Sequence, residues 1–176
     1  MDYIPKIIFE SDKNLLYMDN IPISLHCHHF NCGLINAIEA IDYFDAIEIY
    51  INEAAKCFYE YFKKILIIDN KKLSINKALM IAEDIYRFMG YGRIDLSKLI
   101  TGYGTVISDS SYFVVGWFAI YGKRDKPVCY LTRGFIKAVI AVLFNKELSK
   151  INVTETQCMI CGDDFCKFEV SIVNEE

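Results

Sequence analysis

Apolar and polar positions along the chain separate short extended stretches from longer helical ones. Residues 6–10 (Lys-Ile-Ile-Phe-Glu) and 15–25 (Leu-Leu-Tyr-Met-Asp-Asn-Ile-Pro-Ile-Ser-Leu) predict short strands around a polar turn. From Leu34 to about Ile68 there is no Gly or Pro, and Ala, Ile, Glu and aromatic residues recur with a helical period. That predicts one long helix, or two, with a bend near Asp69-Asn70 separating it from the next. Ser74 precedes a second helix with the stripe Ala78, Ala82, Ile85, Met89, stopped by Gly90 and Gly92. Residues 94–101 read as a short helical piece broken by Gly102 and Gly104, and residues 111–121 as a buried strand. Pro127 suits the first turn of a helix running to about Phe144, whose small residues Gly134, Ala138 and Ala141 would let it sit close against a sheet. Residues 148–160 and 165–173 read as two strands joined by Cys161-Gly162-Asp163-Asp164. With no repeat or linker, the pattern predicts one α+β domain over residues 1–176, its helices central and its last hairpin C-terminal.

Composition narrows the class. A chain of 176 residues, 53% hydrophobic with 12 Phe and 12 Tyr, can bury about 70% of its unfolded surface and is not a disordered protein. The net charge of -4 and scattered basic residues argue against a nucleic-acid or anionic-membrane surface. Neither a signal peptide nor an 18-residue apolar span is visible, so no membrane insertion and a cytoplasmic location are expected. Seven Cys, an odd number in a chain with a sizeable core, do not suit a disulfide scaffold. Clustered reduced thiols point instead to metal or redox chemistry.

The thiols fall into two groups. Near the C-terminus, a turn at Gly162 would bring Cys158 opposite Cys166, and Cys129 is a natural third thiolate for a four-coordinate zinc site. The fourth ligand is Glu155 or Cys161, with the Cys158-x-x-Cys161 spacing slightly favouring the latter; the competing reading is buried small side chains. Near the N-terminus, His26-Cys27-His28-His29-Phe30-Asn31-Cys32 contains every histidine. On a strand His26 and His28 share a face; on a helix His28 and Cys32 do. Either arrangement could hold a second transition metal, and a His beside a Cys can activate a thiol, which makes His26, His28 and Cys32 the catalytic candidates. The bland alternative is exposed turn histidines with core cysteines. Glu39, Asp42, Asp45 and Glu48 read as a solvated helix face, and Cys57 as core. Gly90-Tyr-Gly92 and Gly102-Tyr-Gly104 read as turns, because neither has a phosphate-loop pattern.

Pro127-Val-Cys129-Tyr…Gly134-Phe, followed by Val153-Thr-Glu155-Thr-Gln-Cys158…Gly162-Asp163…Cys166-Lys-Phe168-Glu, resembles the 4-vinyl-reductase domain family over about residues 125–173. That family is similar in fold to subunits of the TRAPP vesicle-tethering complex. It includes proteins linked to bacteriochlorophyll 4-vinyl reduction and the phenol-sensing domains of bacterial activators. The resemblance implies a twisted antiparallel sheet with packed helices, a ligand-binding fold, and a C-terminal zinc-binding hairpin. The zinc ligands it implies are Cys129, Glu155, Cys158 and Cys166, with Cys161 as the alternate. In the phenol sensors a pocket His and Trp bind the ligand hydroxyl, so residue type makes His26, His28, His29 and Trp117 the ligand-binding candidates. The expected function is a zinc-stabilised sensor or carrier of a small apolar or aromatic molecule in an enclosed pocket, assembled as a homodimer. One alternative is a metalloenzyme or thiol enzyme using the His26–Cys32 cluster on an apolar or tetrapyrrole-like substrate. The other is a dimeric TRAPP-like scaffold. No nucleotide-cofactor motif supports reductase chemistry, and fold alone does not assign function.

Overall fold

The computed structural model describes residues 3–68 and 71–173. The chain opens with an antiparallel meander, β1 (Ile7–Glu10), β2 (Leu15–Met18) and β3 (Ile21–Ile23). The expected strand over residues 15–25 is broken at Asp19-Asn20, both left-handed at φ 48° and 65°, a conformation that short polar side chains tolerate. Asp19 then accepts hydrogen bonds from the Tyr3 and Tyr61 hydroxyls at 2.7 and 2.8 Å, which fasten the meander to the helical body.

Helix α1 (His28–Glu39) starts earlier than expected, and α2 (Ala46–Leu66) follows a break. A single helix from Leu34 is therefore wrong. Asp45 leaves helical geometry, and its carboxylate caps α2 by accepting the Glu48 N–H at 2.9 Å. The bend at Asp69-Asn70 lies outside the described residues, between the two-residue strands β4 (Ile67–Ile68) and β5 (Lys71–Lys72). Helix α3 (Ile75–Phe88) follows Ser74 as expected, with Ala78, Ala82 and Ile85 buried. Two segments change type. The short helix expected over residues 94–101 is instead preceded and partly replaced by strand β6 (Gly92–Asp95). The strand expected over residues 111–121 is helix α4 (Tyr112–Tyr121), which follows strand β7 (Gly104–Ser111). An uncharged apolar run carries no period, so a buried strand and a buried helix look alike in it. Gly116 lets α4 reach α1, since a Cβ there would lie 2.7 Å from His28 Cβ and 3.1 Å from Cys32 Sγ.

Helix α5 (Tyr130–Phe144), strand β8 (Ile151–Gln157) and strand β9 (Cys166–Ile172) complete the fold. Pro127 precedes α5 rather than lying in its first turn. The sheet β6-β7-β9-β8 is antiparallel throughout. Period-two alternation turns Val106, Val153, Phe168 and Val170 into the core and leaves Asn152, Thr154, Glu169 and Ser171 exposed. Helix α5 packs on β8, and Phe135 stacks edge-on with Phe58, Phe62 and Tyr86. Gly134, expected to face a sheet, meets α2 instead. Among the described residues no helix is long and apolar enough to cross a membrane.

The close approach of α2 to α5 can be tested at this glycine. A Cβ on Gly134 would lie 2.7 Å from the Ile51 carbonyl oxygen and 2.8 Å from Ala54 Cβ. Gly134→Ala gains up to about 1 kcal/mol of helix propensity. Overpacking against a neighbouring backbone costs about 1–3 kcal/mol, so the expected net is a lower urea midpoint with an unchanged slope. A raised midpoint would show that the two helices can part without cost.

Candidate functional site

Four side chains from three elements meet at the N-terminal end of α5. Cys129 is the residue preceding α5, Glu155 lies on β8, Cys158 just follows β8, and Cys166 opens β9. Residues three apart on a regular strand point to opposite faces. Between Glu155 and Gln157 the register with β9 shifts: Glu155 pairs with Phe168, and Gln157 with Lys167. This bulge puts Glu155 and Cys158 on the same buried side. A tight turn over residues 159–161 closes with Gly162 at φ 107°, and the Asp163 carboxylate accepts the Cys158 N–H at 2.7 Å.

All four donor atoms lie within 4.8 Å of one another. Cys166 Sγ is 3.8 Å from Cys129 Sγ and 3.6 Å from Cys158 Sγ. Glu155 Oε2 accepts the Cys129 N–H at 3.0 Å, whereas its Oε1 is buried with no hydrogen-bond partner. A buried carboxylate oxygen aimed among three sulfurs and left unpartnered is costly by itself and is satisfied by a cation. The cluster can hold a metal ion. Burial, then the neighbouring Cys158, push the Glu155 carboxyl up to about 9. Hydrogen bonds from Cys129 and Cys158 hold the Cys166 thiol down at about 5, while hydrogen bonding to its neighbours and burial push Cys129 well up. The metal-free cluster thus concentrates a single negative charge on Cys166. Cys161 is exposed and outside this group.

The N-terminal histidines do not converge in the same way. Because α1 starts at His28, the helical alternative applies: His28 and Cys32 share the face that meets Gly116. Cys32 is buried and its thiol is pushed up by burial; Cys27 is exposed and is lowered by the backbone N–H groups of Phe30 and His29. His26 precedes the helix, lies 2.8 Å from Ser24 Oγ, and stacks on Phe30. The His28 and His29 ring centroids are 4.2 Å apart. Among the described residues these side chains form no group of three or more close donors, so the second transition metal expected at His26–Cys32 has no converging donor set.

His28 instead borders a cleft of about 260 Å³ with Ser110, Ser111, Tyr112, Val115 and Gly116. Through Tyr112 it adjoins a second cleft of about 220 Å³, lined in part by His26, Asn31 and Tyr91. These are clefts open at the surface, where an enclosed pocket was expected. Trp117 is buried on α4 rather than on an inner strand, and it is not among their lining residues; the Arg124 guanidinium covers its ring at 4.3 Å.

Arg124 belongs to a cluster that sequence reasoning missed. It pairs with Glu39 at 2.7 Å; Tyr130 donates to the same carboxylate, and Lys126 lies 3.6 Å away. Burial works to raise the Glu39 carboxyl, but the hydrogen bonds from Arg124 and Tyr130 hold it below its ordinary value. The expected solvated acidic face is therefore wrong for Glu39, and Glu48 pairs with Arg133 and Lys137. Cys57, expected in the core, is exposed.

Residues 117–172 match the model of the vinyl-4-reductase domain, the segment carrying Cys129, Glu155, Cys158 and Cys166, and the resemblance to the 4-vinyl-reductase family stands on that match. Two uncharacterized proteins of Methanocaldococcus jannaschii are similar over short stretches. MJ0855 is 41% identical over 46 residues, 26% of this chain and 20% of that protein. MJ1642 is 39% identical over 51 residues, 29% of this chain and 30% of that protein. The matches thus span less than a third of either relative. In fold, the chain is similar to the phenol-responsive sensory domain of the transcription activator PoxR, solved with phenol. That likeness has a TM-score of 0.74 at 14% identity and covers 94% of this chain and 84% of the other. A vinyl-4-reductase family protein from M. jannaschii is similar at a TM-score of 0.50 and 15% identity, over 82% of this chain and 78% of the other.

The proton inventory of the cluster sets a pH dependence. All four donors are deprotonated when they ligate an ion, and between about pH 5 and 9 only Cys166 already is. Uptake of one ion should therefore release about three protons, and affinity should rise with pH by about tenfold per released proton per unit. A pH-indicator titration at pH 7 measures this directly, and release of fewer than two protons would contradict the assignment of charge.

Proposed function

We propose that this chain is a small-molecule-binding domain whose C-terminal hairpin is held by structural zinc, and that it serves as a sensor or carrier of a small apolar or aromatic molecule. The observation that carries the proposal is the buried cluster of three sulfurs and one carboxylate beside an open cleft, on a fold similar to that of a phenol-responsive sensory domain. Zinc bound to thiolates at about 2.3 Å in a tetrahedron needs sulfurs about 3.8 Å apart. The sulfur separations of 3.6 and 3.8 Å fit that edge. Bound there, zinc supplies a cross-link and no open coordination position, because the protein occupies all four. Cys129 holds the start of α5, Glu155 and Cys158 the bulged end of β8, and Cys166 the start of β9.

The His28 cleft is the proposed ligand site. Its imidazole, the Ser110 backbone and the Tyr112 hydroxyl offer polar contacts beside the apolar Val115 and Ala119, and about 260 Å³ accommodates a ring-sized molecule. The exposed apolar side chains Val115 and Phe118 on α4 support the homodimer.

Elemental analysis of purified protein should find one zinc per chain. Cys158→Ser should retain under a tenth of it and melt at a lower temperature. Phenol should raise the melting temperature of wild type without being consumed, and His28→Ala should weaken this binding about tenfold. Zinc-free wild type would refute the metal centre; absence of any shift with phenol and substituted phenols would refute the aromatic-ligand reading.

A further inference from the structure

Ser111 stands at the junction of the two sites. It ends β7, immediately precedes α4, and is 2% exposed. Its Oγ accepts the Val114 N–H at 3.4 Å, which caps the helix, and lies 3.4 Å from Cys129 Sγ. A serine hydroxyl has one proton to give. Once Cys129 is a metal-bound thiolate it has none, so the only hydrogen available between these two atoms is that of Ser111. The neighbouring Ser108 is engaged elsewhere, donating to the Ser110 carbonyl at 3.0 Å. Ser111 also lines the His28 cleft, together with Tyr112 and Gly116.

We propose that Ser111 is a positioning residue of the metal centre: its hydroxyl donates to the Cys129 thiolate from the floor of the cleft, so the ion and the cleft's occupant bias each other's binding. The inference rests on the zinc reading above. Hydrogen bonds to metal ligands orient them and tune their basicity, and losing one typically weakens metal binding about 10–100-fold. The coupling is reciprocal: whatever factor an occupant of the cleft applies to zinc affinity, zinc applies to the occupant.

The test compares zinc affinity, by competition with a chromophoric chelator, and the thiolate-to-metal absorption band of the cobalt-substituted protein. Ser111→Ala should bind zinc about tenfold more weakly and shift the cobalt band. Ser111→Thr keeps the hydroxyl and should restore both. Ser111→Asp keeps a capping oxygen for Val114 but sets a negative charge beside the thiolate. It should weaken zinc at least as much as Ser111→Ala while the metal-free melting temperature stays near wild type, which separates lost capping from the lost donor. Saturating phenol should change zinc affinity at least twofold in wild type and leave Ser111→Ala unchanged. Zinc affinities of Ser111→Ala and Ser111→Asp within twofold of wild type, or no restoration by Ser111→Thr, would overturn the inference while leaving the zinc reading intact. Wild type that takes up no zinc would remove both.

Discussion

The bulge between Glu155 and Gln157 is the constraint on which the C-terminal half of this protein depends. Without it, strand geometry would send Glu155 and Cys158 to opposite faces of the sheet, and no cluster could form. With it, β8 places a carboxylate and a thiol on the buried side, opposite Cys166 and under the start of α5. The Cys129 N–H, an unsatisfied donor at a helix N-terminus, bonds Glu155 Oε2, so the backbone of the helix and the side chain of the strand hold each other. Arg133, one turn further along α5, donates to the Val153 carbonyl at 2.7 Å and extends the same attachment.

This arrangement concentrates electrostatic cost in one place. Three sulfurs and a carboxylate are shielded from water, and one carboxylate oxygen has no partner. A cation converts that burden into a cross-link between a helix and a hairpin. The cross-link lies next to the junction of β7 and α4, which borders the cleft. Stability and recognition therefore share one end of the sheet, with Ser111 between them.

Elements whose cues are local were legible in the sequence. Helix α3 has a capping serine, a regular apolar stripe and a glycine stop, and the final hairpin has strict alternation around Gly162. Elements whose identity depends on distant partners were not. Helix α4 has no polar face to set a period, and its helical form goes with Gly116 packed against α1. Glu39 looks like any surface acid on α1, because Arg124 and Tyr130 are 85 and 91 residues away. The break before α2 was signalled only by Asp45, whose capping role shows once the backbone leaves the helix.

Residue types and spacing by themselves determined the α+β class, the identity of the four cluster residues through the family motif, and the absence of a phosphate loop. Spacing alone could not choose between Glu155 and Cys161, since it does not reveal a bulge. The tertiary structure decided that choice of neighbours: the bulge turns Glu155 inward, and the tight turn leaves Cys161 at the surface. It also dispersed the histidines, which seven consecutive residues had seemed to gather. Once α1 begins at His28, its helical geometry sends successive side chains about 100° apart, so closeness in sequence does not become closeness in space.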